Sequence, residues 1–165
     1  MSVQIRPAQT GDVRAIRGMV DAYAPNGRLL SKATVTLYED VQEFLVADAG
    51  AEVVGCGAWH VMWEDLAEVR TLAVHPNYRR SGVGSQILNA QLERARNLGI
   101  KRVFCLTFET EFFSQHGFAE IEGAPVEHAV FEQLLQSYDE GVAEFLDLER
   151  VKPNTLGNSR MLLIL

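Results

Sequence analysis

The chain has 165 residues, 47% of them hydrophobic and 22% charged, a composition that excludes a disordered tail, a collagen-like fibre and a disulfide-stapled miniprotein. Acidic residues outnumber basic ones by 22 to 15, and the net charge of −7 disfavours nucleic acid and anionic membranes as partners. No apolar stretch reaches the ~18 residues of a membrane span, and the first residues lack the pattern of a signal peptide. We therefore expect one cytoplasmic domain, residues 1–165, that binds neither nucleic acid nor a membrane.

The N-terminal half of the sequence predicts two helices and three strands. After Thr10, a candidate N-cap, apolar residues recur at helical spacing and predict a helix. Residues 25–27 (Pro-Asn-Gly) end that helix. Residues 48–50 (Asp-Ala-Gly) are typical of a hairpin turn. The predicted elements are a strand over Val3–Arg6, a helix with Val13, Ile16, Met19 and Val20 inward, a short helix over Thr34–Phe44 with Val35, Tyr38 and Val41 on one face, and strands over Phe44–Ala47 and Glu52–Met62.

The C-terminal half alternates strands and helices and contains the clearest helix of the chain. That helix spans Val83–Leu98, where apolar residues fall three and four apart, and Gly99 ends it. The closing run Met161–Leu165 is apolar enough to predict a central or covered strand. The order predicts an α+β fold (loosely α/β, in three layers) with a mixed sheet flanked by helices. The other predicted elements are strands over Leu66–Val74, Arg102–Thr107 and Phe118–Ile121, and helices over Glu111–His116 and Val126–Tyr138, the latter with Phe131, Leu134 and Leu135 inward.

The two cysteines, Cys56 and Cys105, both lie in apolar runs and are predicted to be buried reduced thiols. Their spacing matches no zinc pattern. His75, His116 and His128 do not combine with cysteines or carboxylates at the spacing of metal ligands. We therefore expect no metal ion.

Residues 72–85 combine a strand, a loop with two arginines, two glycines and the start of the long helix. Gly82 and Gly84 leave no side chain between the backbone N–H groups and a ligand. Those N–H groups are the unpaired donors of a helix N-terminus, which favours negative charge. Arg79 and Arg80 add positive charge beside them. The segment therefore predicts a pyrophosphate-binding loop on an acidic protein.

Two common phosphate-binding motifs do not fit this loop, because no lysine follows Gly84 and the third glycine of the dinucleotide fingerprint is missing. What remains is Arg-x-x-Gly-x-Gly, which resembles the acetyl-CoA-binding motif of the GCN5-related N-acetyltransferases, the GNAT superfamily. The strand before it, Leu72–Pro76, and the later segment Phe113–Phe118 resemble further motifs of that family. The resemblance implies the GNAT fold with a mostly antiparallel sheet. It also implies acetyl-CoA as co-substrate, bound by Leu72, Ala73, Val74, Arg79, Arg80, Ser81, Gly82, Val83, Gly84, Ser85 and Phe113.

A narrower resemblance covers nearly the whole chain. Segments 27–32, 55–58, 99–107, 111–118 and 157–163 resemble the acetyltransferase domain of N-acetylglutamate synthases. The whole chain is most similar to the short stand-alone synthases of actinobacteria. The resemblance implies that an acetyl group passes from acetyl-CoA to the α-amino group of L-glutamate or L-glutamine. It implies direct attack in a ternary complex, as the first step of arginine biosynthesis.

The same resemblance assigns roles to individual residues. Glu68 matches the general base, the alternative being a surface carboxylate in the acidic run 64–68. Thr107 matches a serine that lies near the leaving thiolate in long family members. Two alternatives remain open: Thr107 donates a proton to the thiolate, or it is a strand-end threonine whose hydrogen bonds are already satisfied. Phe113 occupies the position of the tyrosine that acts as general acid in many relatives, so protonation of the thiolate by a tyrosine is absent here. A backbone N–H near Leu72, which a bulge in the strand leaves unpaired in the family, would donate to the oxyanion. The implied substrate contacts are Leu30, Lys32, Arg70, Asn158 and Ser159.

The sequence leaves the substrate and the assembly open. Gly157 and Lys32 stand where long synthases have arginine, which leaves glutamine beside glutamate as a substrate. The competing functions are another amine or protein N-terminal acetyltransferase and a CoA-sensing module without turnover. Residues 126–150 are long for the superfamily and either cover the substrate site or form a homodimer interface.

Overall fold

The computed structural model describes residues 2–23 and 33–165, which form one mixed sheet with helices. The described residues contain seven strands: β1 (Gln4–Pro7), β2 (Phe44–Asp48), β3 (Val53–Trp63), β4 (Leu66–Val74), β5 (Arg102–Thr107), β6 (Ala119–Glu120) and β7 (Ser159–Ile164). Their order in the sheet is β1-β2-β3-β4-β5-β7-β6. β4 and β5 pair in parallel, whereas β1 with β2, β2 with β3, β5 with β7 and β6 with β7 pair antiparallel. The predicted α+β class with a mostly antiparallel sheet is confirmed.

The same described residues contain seven α-helices: α1 (Val13–Tyr23), α2 (Thr34–Glu39), α3 (Val83–Leu98), α4 (Thr110–Gln115), α5 (His128–Leu134), α6 (Glu140–Phe145) and α7 (Lys152–Thr155). Contacts divide the chain into two compact units. The N-terminal unit comprises Met1–His60 and Val69–Leu98, and the C-terminal unit comprises Val61–Glu68 and Gly99–Leu165. Within the described ranges, no helix has the length and apolar character to cross a membrane. That residues 1–165 act as one domain stays a prediction.

The first helix of the N-terminal unit buries the predicted stripe, and α1 packs with Val13, Ile16, Met19 and Val20 in the core. The predicted N-cap at Thr10 is wrong. A 3-10 turn over Thr10–Asp12 precedes α1, and the N–H of Gln9 donates to the Asp12 carboxylate at 2.7 Å. Arg6 also bonds Asp12 at 2.8 Å, so this carboxylate fixes the start of the helical segment from β1. The predicted break at residues 25–27 lies outside the described residues.

The predicted second helix is shorter than expected and buries a different face. It ends at Glu39, because the chain turns at Asp40 into a 3-10 turn over Val41–Glu43. Leu37 is the buried residue of α2, whereas Val35 is 62% exposed and Tyr38 is 44% exposed. The predicted apolar face over residues 35, 38 and 41 is therefore wrong, since the helical period does not continue through residue 40.

The hairpin and the long helix of the N-terminal unit are confirmed. β2 and β3 pair antiparallel, and the turn contains Gly50, which has a φ of 93° and donates its N–H to the Asp48 carboxylate at 2.8 Å. α3 spans the predicted residues, and Gly99, with a φ of 94°, follows it. Its last residue, Leu98, is 62% exposed rather than inward, and Gln91 is buried in the middle of the helix instead.

In the C-terminal unit, β7 lies between β5 and β6, which confirms the prediction that the closing apolar strand is covered. Two predicted elements are shorter than expected. The strand expected over residues 118–121 reduces to β6. The helix expected over residues 126–138 ends at Leu134, so Leu135 is exposed rather than inward. Cys105 in this unit and Cys56 in the N-terminal unit are buried free thiols, as predicted, and burial raises the pKa of the Cys56 thiol to about 12.

Candidate active site

Local hydrogen bonds shape the loop between β4 and α3, residues 75–82, which we call the glycine loop. The His75 ring accepts the N–H of Asn77 at 3.1 Å, and the Ser81 hydroxyl donates to the Tyr78 carbonyl. The Tyr78 hydroxyl donates to Glu52 at 3.1 Å, and this bond raises the pKa of the Tyr78 hydroxyl. These bonds fix the course of the loop before it enters the helix.

The N-terminus of α3 presents backbone donors at the end of the glycine loop. The N–H of Gln86 donates to the Gly82 carbonyl at 3.1 Å, so the amides of residues 83–85 precede the helical ladder. Gly82 has a φ of 87°, and a Cβ placed on it would meet no atom within 4 Å. Arg79 and Arg80 are exposed beside it, and Arg80 is itself left-handed with a φ of 60°. Such a set of donors and cations fits the charge and oxygen atoms of a diphosphate.

Two glycines in β3 let α3 lie directly on the sheet. A Cβ on Gly55 would stand 2.8 Å from Ile87, and a Cβ on Gly57 would stand 2.8 Å from both Ile87 and Gln91. The Gln91 amide donates to the Ala58 carbonyl at 2.9 Å, which links the helix to the strand. These glycines position the helix that ends in the glycine loop. Glycine at alternate strand positions is the sequence signal for such close packing.

β4 is distorted at Thr71, whose φ of 56° is rare for a β-branched residue within a strand. The Cys56 thiol donates to the Thr71 carbonyl at 3.6 Å. Farther along the strand, the Val74 carbonyl accepts the Tyr23 hydroxyl at 2.5 Å. The irregularity predicted near Leu72 is therefore present at the residue before it, whereas the role of the Leu72 N–H stays a prediction.

Glu68, the predicted base, lies in the C-terminal unit and is only 5% exposed. The alternative of a surface carboxylate is therefore wrong, although Glu64 in the same acidic run is exposed. Glu68 pairs in register with Phe104 of β5. Burial, and then the charge of Glu68, raises the pKa of the Cys105 thiol well above its ordinary value. A carboxylate buried at this position needs a compensating environment, which makes it a candidate for proton transfer.

Thr107 and Ser159, predicted for catalysis and for substrate binding, are register partners at the ends of β5 and β7. Thr107 is buried, and its Oγ1 accepts the N–H of Glu109 at 2.8 Å, which leaves its own hydroxyl proton to donate. Strand alternation puts Thr107 and Ser159 on the face opposite Phe104, the register partner of Glu68. The two predicted catalytic groups therefore do not exchange a proton directly.

Three predicted cofactor contacts, Ala73, Val83 and Phe113, are buried within their own units. Ala73 belongs to the core of the N-terminal unit, so only its backbone is available. Phe113 of α4 is buried in the C-terminal unit, with its ring centroid 5.1 Å from that of Phe118 and 5.2 Å from that of Phe112. A phenyl ring there supports the turn after α4 and has no ionisable proton to donate.

The predicted substrate contacts are only partly described. Asn158 donates its side-chain amide to the Asn154 carbonyl at 3.5 Å, which ties it to the end of α7. Arg70 is half-buried on β4 in the N-terminal unit. Leu30 and Lys32 lie outside the described residues. Over residues 2–23 and 33–165, no three His, Cys, Asp or Glu side chains come together as metal ligands would.

Residues 22–121 match the acetyltransferase (GNAT) family. The chain belongs to that family. An amino-acid acetyltransferase of Mycobacterium tuberculosis is 59% identical to this GNAT protein over 165 residues, which cover 98% of this chain and 94% of the relative. An amino-acid acetyltransferase of Aeromonas salmonicida is 32% identical over 128 residues, which cover 75% of this chain but only 29% of the relative.

Solved structures agree with the family assignment. Rv2747 from Mycobacterium tuberculosis, in complex with CoA and NLQ, matches with a TM-score of 0.94 at 58% identity, covering 98% of this chain and 99% of that chain. N-acetylglutamate synthase from Neisseria gonorrhoeae, complexed with coenzyme A and N-acetyl-glutamate, matches with a TM-score of 0.79 over 100% of this chain and 35% of that chain. At 23% identity, the second match shows the fold alone. The resemblance to GNAT proteins predicted from the sequence is confirmed.

Proposed function

We propose that this GNAT protein transfers the acetyl group of acetyl-CoA to the α-amino group of L-glutamate or L-glutamine. The observation that carries the proposal is the 59% identity, over 98% of the chain, to a protein named as an amino-acid acetyltransferase. The glycine loop supports it, because open space around Gly82, the first amides of α3 and two exposed arginines suit the diphosphate of CoA.

In the proposed complex, acetyl-CoA is held mainly by backbone groups of the N-terminal unit. The amides of residues 83–85 bind the diphosphate, joined by the Ser81 hydroxyl once it turns away from the Tyr78 carbonyl, and Arg79 and Arg80 add charge. The backbone of Leu72 and Val74 pairs with the pantetheine arm. The Tyr23 hydroxyl donates to the Val74 carbonyl at 2.5 Å, so Tyr23 lies beside this stretch of backbone.

In the proposed reaction, the amino nitrogen attacks the carbonyl carbon of the thioester, a C–N bond forms, and the C–S bond breaks with its electron pair on sulfur. Glu68 accepts the proton that the amine must lose, directly or through a water. The Leu72 N–H donates to the oxyanion, and one such donor is worth roughly 3 kcal/mol of barrier. The thiolate takes a proton through the Thr107 hydroxyl, which recovers one from water. No acyl-enzyme forms, so orientation in the ternary complex supplies much of the rate.

For the amino acid, Asn158 and Ser159 are proposed to bind the α-carboxylate, and Arg70 with Leu30 and Lys32 to bind the side chain. The choice between glutamate and glutamine depends on whether these cations face a carboxylate or an amide. We expect the product to enter arginine biosynthesis in the cytoplasm, and a homodimer built through residues 126–150 stays a prediction.

The test measures thiol release from acetyl-CoA with a panel of L-amino acids, polyamines and peptides with free N-termini, and mass spectrometry identifies the product. We expect turnover with glutamate or glutamine, and their ratio of kcat/KM names the substrate. Turnover with peptides or polyamines instead would assign the protein to another branch of the GNAT family. Binding of acetyl-CoA without turnover of any amine would favour the sensing module and overturn the proposal.

A further inference from the structure

Arg160 is the second residue of β7, and its guanidinium holds three backbone carbonyls of the C-terminal unit. Nε and Nη2 donate to the Gly123 carbonyl at 3.1 and 2.8 Å, and Nη1 donates to the Glu144 carbonyl at 3.0 Å. Nη2 also donates to the Phe145 carbonyl. Glu144 and Phe145 form the end of α6, where helix carbonyls lack partners within the helix. One side chain therefore joins β7 to the segment before α5 and to the end of α6.

These bonds do not cancel the charge of Arg160. Every acceptor of its guanidinium is a neutral carbonyl oxygen, and arginine stays protonated in proteins. Burial lowers the pKa of the Arg160 guanidinium, and the negative charges of Asp147 and Glu68 act in the opposite direction. The charges of Glu68 and Asp147 therefore act on this half-buried cation.

The strand register explains why Arg160 and Glu68 interact. Glu68 is the partner of Phe104 in the parallel pair of β4 and β5, and Arg160 is the partner of Leu106 in the antiparallel pair of β5 and β7. Phe104 and Leu106 are two residues apart, so their partners share one face of the sheet. The guanidinium lies over the Phe104 ring, 5.0 Å from its centroid.

We propose that Arg160 is a positioning residue for the acetyl transfer: it fixes α6 against the sheet face that carries Glu68 and supplies the positive charge that keeps this carboxylate ionised. The inference rests on the proposed function, in which Glu68 is the base. Burial of a carboxylate favours its neutral form, and a protonated carboxyl group cannot accept a proton from the amine. A nearby uncancelled cation offsets that effect.

Four other charged or titratable side chains differ from Arg160 in their charge, their partners or their proposed role. Cys105 of β5 stays a neutral thiol, since its pKa is raised. Asp147 is negative and pairs with Lys152 at 2.7 Å. Arg102 faces the same side of the sheet from β5, but its Nε lies 3.3 Å from the Asp65 carboxylate. Arg70 follows two residues later on β4 and is itself a proposed substrate contact.

Arg102 therefore provides the matched control. Arg102 also donates to a backbone carbonyl, that of Pro125, so Arg102→Gln removes a cation and a carbonyl bond from the same unit. The experiment compares Arg160→Gln, Arg160→Lys and Arg102→Gln with the wild type. It records kcat/KM for the amino acid against pH at saturating acetyl-CoA, with thermal unfolding measured for each variant. The substrate amine titrates identically in all of them, so only differences between variants count.

We expect Arg160→Gln to move the acid limb of the profile upward by about one pH unit. Arg160→Lys keeps the charge, so its acid limb stays in place while its melting temperature falls with the lost carbonyl bonds. Arg102→Gln leaves the limb unchanged. A loss of activity in Arg160→Gln by the same factor at every pH, or an equal shift in Arg102→Gln, would overturn the proposal.

A second readout requires neither turnover nor a folded Arg160 variant. Infrared difference spectra of wild type minus Glu68→Gln report the protonation of Glu68 in the intact protein. We expect the band of an ionised carboxylate at neutral pH, and a protonated carboxyl band would contradict a charge-supplying role for Arg160. Because this measurement needs no amino acid, a failed Arg160 proposal and a failed substrate assignment give different results.

Discussion

The glycine loop offers backbone groups for its proposed role, whereas the strands around Glu68 offer a side chain. The glycine loop is exposed and offers backbone N–H groups, whose direction depends on the left-handed conformation of Gly82. Glu68 is 5% exposed and offers one side chain, whose charge depends on its neighbours. We expect the first region to tolerate different side chains as long as its backbone conformation is kept. The second depends on one functional group and on the charges that face it.

This difference predicts that binding and chemistry fail separately. Changes that alter the backbone of the glycine loop should weaken acetyl-CoA binding and leave the bound complex competent. Changes at Glu68 should leave acetyl-CoA binding intact and stop the proton transfer. Each substitution below tests one side of that division.

The largest expected effect is that of Glu68→Gln, which keeps the size of the side chain and removes the proposed base. We expect kcat to fall by about 100-fold or more, the range for loss of a positioned general base, with the affinity for acetyl-CoA unchanged. Steady-state rates and calorimetric titration measure the two quantities. Glu64→Gln, at an exposed carboxylate of the same acidic run, is the matched control. A full loss of rate in Glu64→Gln as well would contradict the assignment of Glu68.

Gly82→Ala should weaken acetyl-CoA binding by roughly 10-fold. The φ of 87° is left-handed, and a Cβ there costs about 1–2 kcal/mol per residue even though the space around it is open. The measurement is the dissociation constant of acetyl-CoA. The control is Gly18→Ala, at a glycine of α1 with open space around it and no left-handed φ. An unchanged affinity in Gly82→Ala would show that the glycine loop does not bind the diphosphate.

Gly57→Ala should destabilise the protein by about 1–3 kcal/mol, the typical effect of overpacking. The new Cβ would stand 2.8 Å from side-chain atoms of Ile87 and Gln91 of α3, so these side chains or the helix must shift. Thermal unfolding measures the loss. Gly11→Ala, with no atom within 4 Å of its Cβ, should unfold within about 1 °C of the wild type. Equal melting temperatures for the two variants would mean that the close approach of α3 to β3 does not contribute to stability.

Arg79→Ala should have the smallest effect, a rise of a few-fold in KM for acetyl-CoA. Arg79 is exposed, and exposed charge pairs are worth at most about 1 kcal/mol. The effect should shrink as salt is added, because exposed charges are screened over about 10 Å at 0.1 M. A rise in KM that does not depend on salt would indicate a buried contact instead.

The regular elements that the sequence predicted best are those with long periods or clear boundaries. α3 has four turns of apolar spacing and ends before Gly99, and β4 ends before His75-Pro76. α2 was predicted too long, because apolar residues 35, 38 and 41 fit a helical period that the turn at Asp40 interrupts. A short amphipathic pattern does not reveal where the chain changes direction.

The residues of the candidate site also differ in how well the sequence predicts them. The glycine loop is a local motif, so its residues could be predicted together from adjacent positions. The environment of Glu68 depends on pairing between strands distant in sequence, which places Phe104 beside it and Arg160 on the same face. No sequence period encodes that register, and therefore Arg160 was not among the predicted site residues. The burial of Glu68 was likewise not predictable, because an acidic run such as residues 64–68 is typical of a protein surface.

The most direct test of this division measures kcat at saturating acetyl-CoA and the dissociation constant of acetyl-CoA for Glu68→Gln and Gly82→Ala in parallel. We expect Glu68→Gln to lose kcat and keep its affinity, and Gly82→Ala to lose affinity and keep its kcat. Loss of acetyl-CoA binding in Glu68→Gln, or loss of kcat in saturated Gly82→Ala, would contradict the assignment of binding to the glycine loop and of proton transfer to Glu68.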